Sequence, residues 1–196
     1  MILFVNGCVR ENSRTLELAR AVLEEFTDTV EEVRLYPDGP NGLDAEKLQL
    51  RDALLAKKQY GHPMFAFARQ FAAADTVVIA APYWDFAFPA KVRAYLEEVT
   101  VSGITFQYGA DGIPQGLCNA AKLIYVTTAG GPIVQNLGFE YVSTLARNLY
   151  GISDISLVKA EGLDIWGADP EKILEQAKRT ITATDAAEYG SDQAGF

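Results

Sequence analysis

The residues best suited to chemistry in this chain fall in three short stretches, and none of them is a catalytic dyad or triad. Tyr83, Trp84, Asp85 and Phe86 stand in a row between Pro82 and Pro89. Three aromatic rings and one carboxylate wall a flat, polar-edged molecule better than they attack one. Asn12, Ser13 and Thr15 flank Arg14 just ahead of an apolar stripe with helical spacing. Side-chain oxygens there accept from the free N–H groups of a first helical turn, or join those groups in holding a phosphate. Both readings of Ser13 stand at this level, and the cluster with Arg14 favours an anion site. In the third stretch, Thr127, Thr128, Ala129, Gly130 and Gly131 run into Pro132. Paired glycines let backbone approach a ligand closely, although a plain turn also needs glycine.

Nucleophilic and metal chemistry have little support. Cys8 and Cys118 are far apart and outside any CxxC pattern, so both read as free thiols. The single histidine, His62, lies between Gly61 and Pro63 in a turn, with no evident nucleophile to serve. A reaction run by this chain is therefore expected to use a bound cofactor. The bulk properties agree with a small-molecule protein. At 196 residues, 49% hydrophobic and 22% charged, the chain suits one domain, and a domain of this size buries roughly 70% of the surface exposed when unfolded. No apolar run approaches the ~20 residues of a membrane span. A net charge of −9 and a pI near 4.6 argue against nucleic-acid and anionic-membrane partners. No basic and then apolar leader precedes the first strand, so a cytoplasmic location is the default expectation.

The elements that must position these stretches alternate in type. Residues 76–81 form an unbroken run of β-branched and small apolar residues, the pattern of a strand covered on both faces. A Pro-bracketed loop follows it, then a helix carrying Val92, Tyr95, Leu96 and Val99 on one face. Residues 1–5 predict a strand, and Leu16, Ala19, Val22, Leu23 and Phe26 a helix. Residues 29–35 suggest a second strand, and residues 48–55 and 65–74 one or two helices broken near His62. Residues 103–117 read as an added flap of short alternating chain with Gly and Pro, in which Phe106 and Tyr108 point the same way. Residues 121–127 and 155–160 predict strands, and residues 136–150 an aromatic-rich helix whose Phe139, Tyr141 and Tyr150 suit either an interface or the core. Asp169-Pro170 is a helix start with its cap and N1 proline. The order predicts a single α/β domain over residues 1–184 and a loose tail over 185–196. Its expected form is a five-stranded parallel sheet in the order 2-1-3-4-5 between two helical layers. The three candidate stretches then meet at the carboxyl ends of neighbouring strands, where such sheets bind ligands.

These residues resemble a known family. Ala81-Pro82-Tyr83-Trp84-Asp85-Phe86, continued by residues 89–95, is similar to the aPmYNFgiPaxLKxyxD segment of FMN-dependent NAD(P)H:quinone reductases and azoreductases. Residues 103–108 are similar to that family's GxTFxY, residues 127–131 to its TSRGG, and Ser13-Arg14-Thr15 to its SxS phosphate loop. Several degenerate motifs in order are more specific than any one of them. The resemblance implies a flavodoxin-like fold in which Ser13, Arg14 and Thr15 cradle the FMN phosphate with Cys8 nearby. Pro82, Tyr83, Trp84, Asp85 and Phe86 then border the flavin ring, and Thr128, Ala129, Gly130 and Gly131 meet its pyrimidine edge. The family usually carries Ser at position 8, Asn at 85 and Arg at 129. Asp85 is the most awkward departure, because a carboxylate near the ring opposes an anionic reduced flavin unless it points to solvent or accepts the ring N3–H.

The expected function is a two-electron transfer in which NADH or NADPH reduces FMN, which in turn reduces a quinone, azo compound or similar flat acceptor. The resemblance also implies a homodimer in which Phe106 and Tyr108 wall the substrate pocket. A flavodoxin-type electron carrier is the alternative, and the acidic charge suits it. A flavin-free domain is a third reading.

Overall fold

The computed structural model describes residues 1–188, with side chains as far as Ile181. The chain alternates as expected. β1 (Ile2–Asn6) and α1 (Arg14–Glu24) are followed by β2 (Val30–Arg34), α2 (Ala45–Ala56) and α3 (Ala66–Ala73). β3 (Thr76–Ala80) leads to α4 (Ala90–Val99), and β4 (Phe106–Tyr108) and β5 (Pro114–Gly116) are the two strands of the flap. β6 (Lys122–Thr128), α5 (Leu137–Leu145), β7 (Asp154–Ala160) and α6 (Pro170–Glu188) complete it. Five strands pair in parallel in the order β2-β1-β3-β6-β7, which is the expected 2-1-3-4-5 once the flap strands are set aside. α6 continues through residues 185–188, part of the stretch read as a tail, and the rest of that stretch lies outside the described residues.

Period-two alternation divides the core. Leu3, Val5, Val77, Ile79, Leu123 and Tyr125 face α4 and α5, while Ile2, Phe4, Val78, Ala80, Ile124 and Val126 face α1 and α6. Both faces of the central strands are therefore dry: Val77, Val78 and Ile79 are each 0% exposed. Burial of such side chains stabilises the fold by roughly 1.5–3 kcal/mol apiece. β2 is the opposite case, an edge strand with Glu31, Glu32 and Arg34 in solvent and only Val33 buried, and charges of this kind discourage pairing with another chain.

In the stretch between β2 and β3, Phe71 of α3 joins the core beside the sheet, whereas Leu48 and Leu50 of α2 are exposed. α2 buries only Leu54, against Phe65, Ala68 and Val101. Arg51 reaches from α2 to the carbonyls of Glu97 and Thr100 at the carboxyl end of α4. His62 has a structural place: its Nδ1 accepts from the Met64 N–H at 3.2 Å and caps a short 3-10 turn, Pro63–Phe65. Phe139 and Tyr141 are partly buried against the core and Tyr150 is 1% exposed. No helix among the described residues is long and apolar enough to cross a membrane.

The flap lies at the amino end of the sheet. α4 runs antiparallel to β3, so its last residue, Val99, is at that end, and the Thr105 hydroxyl donates to the Val99 carbonyl at 2.8 Å. β5 then rests on the last turn of the helix that follows α5, a π-helical segment over Ala146–Tyr150. The contact demands glycine at 116, where a Cβ would stand 2.3 Å from the Tyr150 carbonyl carbon. The same anchoring places Phe106 and Tyr108 away from the three candidate stretches of their own chain.

Candidate functional site

A cavity of about 540 Å³ opens at the carboxyl ends of β1, β3 and β6. It is assembled from the three stretches singled out by residue type: Ser13, Arg14 and Thr15 from the first, Pro82, Tyr83 and Trp84 from the second, Thr128, Ala129 and Gly130 from the third. Val9, Arg10, Asn12 and Asp164 complete the lining. Asp164, on the loop after β7, was not anticipated. The rule that open sheets bind ligands beyond their strands' carboxyl ends applies to that loop as well, but no run of special residue types marks it.

The first stretch closes on the amino end of α1. Ser13 is the N-cap, its Oγ accepting from the Leu16 N–H at 3.4 Å, a long bond that leaves lone pairs free. The preceding first-turn N–H groups have no helical partner, and the helix dipole makes this end positive. Arg10 and Arg14 add two cations to the lining. Thr15 behaves differently from Ser13. It is 1% exposed, and its hydroxyl is 2.6 Å from that of Thr128, itself 9% exposed, so the two loops are tied by a dry hydroxyl pair.

The second stretch is a tight hairpin. Trp84 and Ala87 exchange backbone hydrogen bonds, 2.7 Å from the Ala87 N–H and 3.4 Å from the Trp84 N–H. The residues between them, Asp85 and Phe86, have φ of 49° and 65°. Left-handed backbone at both central positions is what a type I′ turn requires, and it favours Asn and Gly there. For Asp and above all Phe it costs roughly 1–3 kcal/mol per residue, and such strain persists where surrounding structure imposes it. The hairpin is held from two sides: the Tyr83 hydroxyl donates to the Gln135 carbonyl at 2.8 Å, and the Leu137 N–H to the Phe86 carbonyl at 2.9 Å. Tyr83 and Trp84 consequently line the cavity, while Asp85 and Phe86 project at the tip, both exposed and outside the lining. Of the four residues expected to border the ring, Tyr83 and Trp84 line the cavity and Asp85 and Phe86 do not. Asp85 points to solvent, which removes the electrostatic objection to a carboxylate at that position.

The third stretch packs against residues 161–165. Gly162 donates to the Gly131 carbonyl at 3.0 Å, Leu163 to Ala129 at 3.2 Å and Asp164 to Gly130 at 2.8 Å. The close approach that glycine permits at 130 is made by Asp164, whose Oδ2 would lie 2.2 Å from a Cβ there. Gly131 does not line the cavity. Glu161 braces the segment beyond: its Oε2 accepts from the Ile133 N–H at 2.8 Å, and that bond, helped by Lys159, holds its carboxyl below the usual range.

Three further residues singled out from the sequence lie outside the lining of this cavity. Cys8 is 7% exposed and lies beneath the first loop, outside the cavity lining. Burial pushes its thiol up to about 11, with the Ser13 hydroxyl drawing it partly back, so at neutral pH it is neither anion nor nucleophile. Phe106 and Tyr108 form an edge-on pair with centroids 5.4 Å apart, but they belong to the flap at the far end of the sheet. Only Tyr108 is exposed, at 62%, while Phe106 is 7% exposed.

The site's chemistry is that of a binding cleft. A positive helix terminus with two arginines suits a phosphate, and Tyr83 and Trp84 suit a flat ring, within a volume typical of cofactor clefts. The residues present therefore fit FMN.

Residues 1–184 match the model of a family described as having the flavodoxin-like fold. The chain belongs to that family. Among its relatives is the FMN-dependent NADH:quinone oxidoreductase 2 of Clostridium acetobutylicum, 35% identical over 83% of this chain and 85% of the relative. The crystal structure of an azoreductase from Bacillus anthracis str. Sterne superposes with a TM-score of 0.79 at 22% identity, covering 93% of this chain and 97% of that one. An FMN-dependent NADH-azoreductase from Bacillus anthracis str. Ames Ancestor, solved in complex with FMN, gives 0.78 at 20% identity, covering 95% and 97%. Those two structural likenesses establish the fold.

Proposed function

We propose that this chain is an FMN-dependent oxidoreductase that passes two electrons from NADH or NADPH to a quinone, azo compound or similar flat acceptor. The observation that carries the reading is the single cleft joining an anion-binding helix terminus to an aromatic wall, in a chain whose relative is named FMN-dependent NADH:quinone oxidoreductase. FMN, when bound, supplies the ring that takes up and gives back hydride. The chain supplies the rest. Ser13, Arg14 and the first-turn N–H groups of α1 hold the phosphate, and Tyr83 and Trp84 fix the plane of the ring. The Thr128–Gly130 backbone offers N–H groups to its polar edge.

The cleft has apolar groups exposed around it, among them Trp84 at 45%, Phe86 at 56% and Val134 at 83%. The flap exposes Tyr108 and, at 61%, Ile113. Because the flap cannot reach the cleft of its own chain, Tyr108 serves as substrate wall only across a homodimer, and we include that assembly in the proposal. A single FMN-binding domain over residues 1–184 and a cytoplasmic location complete it.

The test is spectroscopic. Purified protein reconstituted with FMN should show flavin absorption, lose it on anaerobic addition of NADH or NADPH alone, and regain it with p-benzoquinone or an azo dye. Flavin that resists both nicotinamides without a partner reductase would mark an electron carrier, the alternative that the net charge of −9 favours. A protein that takes up no flavin would overturn both.

A further inference from the structure

Arg14 opens α1, yet its side chain is held by the loop after β7. Its Nη1 donates to the Leu163 carbonyl at 3.3 Å and its Nη2 to Asp164 Oδ1 at 2.9 Å. Asp164 is itself fixed on the end of β6, through its N–H to the Gly130 carbonyl at 2.8 Å and through Oδ2 over the Gly130 α-carbon. One carboxylate thus has one oxygen on the arginine and the other over the third loop. Among the described residues it is also the only acidic one lining a cavity that presents two arginines. A negative charge beside an anion site opposes binding unless it improves the donors around it. A guanidinium has five N–H donors in a rigid fork, and the contacts to Leu163 and Asp164 engage two of them. Without those contacts the side chain is free to sample solvent, being 35% exposed.

We propose that Asp164 is a positioning residue for the cofactor phosphate, acting through Arg14. It aims the remaining N–H groups of the guanidinium at a phosphate seated on the amino end of α1, and so sets the preference for FMN over riboflavin. This inference rests on the flavin reading above and adds to it a role for a residue that acts through another.

The experiment is a titration of flavin-stripped, full-length protein with FMN and, separately, riboflavin, followed by quenching of flavin fluorescence. It uses Asp164→Asn, Arg14→Ala and the double variant, with Asp164→Ser as a second substitution should the first fail to fold. Asp164→Asn should weaken FMN binding about tenfold, the scale of one charge-assisted hydrogen bond, and change riboflavin binding less than about twofold. In the Arg14→Ala background the same substitution should have no further effect. Unchanged or tighter FMN binding would overturn the proposal, the latter showing that the carboxylate merely repels phosphate. Equal losses for FMN and riboflavin would also overturn it, since they would reduce Asp164 to a brace between loops. A wild-type protein that binds neither flavin would refute the flavin reading itself, which separates that failure from failure of the Asp164 role alone.

Discussion

The hydroxyl pair between Thr15 and Thr128 allows a prediction with a built-in control. Both residues are largely buried in the wall of the cavity, at 1% and 9% exposure, and their oxygens are 2.6 Å apart. Replacing Thr15 with valine keeps the shape and leaves the largely buried Thr128 hydroxyl without its protein partner. A buried polar group left unsatisfied costs about 1–3 kcal/mol. In a chain of this length that lowers Tm by roughly 2–4 °C per kcal/mol. Thr128→Val should cost a similar amount for the mirror-image reason. The double variant removes both polar groups, and a matched apolar pair is nearly neutral. It should therefore be more stable than either single variant. Urea denaturation of the four proteins measures this coupling directly. The same set should lose FMN and riboflavin affinity in parallel, because Thr15 then acts on loop geometry and has no contact with phosphate. Additive losses in the double variant would refute the pair, and an FMN-selective loss for Thr15→Val would return Thr15 to the phosphate site.

Three other outcomes follow from the geometry. Burial pushes the Cys8 thiol up to about 11 and Cys118 up to about 12, so both stay protonated in the folded chain well above the pH at which they ionise when unfolded. Their stabilising contribution is complete below the unfolded pKa of about 8.5 and is lost as pH rises beyond it. Stability should fall by about 1.4 kcal/mol per pH unit per thiol in that window, less steeply in Cys8→Ala, as read by denaturant melts at pH 8 to 11. Phe86→Gly relieves a left-handed φ of 65° but gives up an edge contact with Tyr83 at 6.4 Å. It should change stability by less than about 1 kcal/mol while altering acceptor KM, and a loss of several kcal/mol would show that the ring is structural. Tyr108→Ala should change acceptor kinetics and leave bound FMN in place. A protein that is monomeric at micromolar concentration with full reductase activity would exclude the shared pocket.

Residue pattern alone determined the architecture and the neighbourhood of the site. The continuous apolar run at residues 76–81 needs cover on both faces, which only a central parallel strand in a three-layer fold provides. Once strands and helices alternate, connections of fixed hand and short length bring the ends of β1, β3 and β6 together, so the Ser13, Tyr83 and Thr128 stretches were legible as one site before any coordinate. Tertiary structure decided which members of each stretch line the cavity. Asp85 and Phe86 fall outside the lining because a two-residue hairpin reverses the chain at them, and the Thr15 hydroxyl is engaged by that of Thr128, 113 positions away. The place of the flap depended on where α4 and the helix after α5 end, which no property of residues 103–117 encodes. Asp164 was invisible for a related reason. Its role comes from contacts with Arg14, 150 residues earlier, and with Gly130, and such a role exists only when the chain is folded.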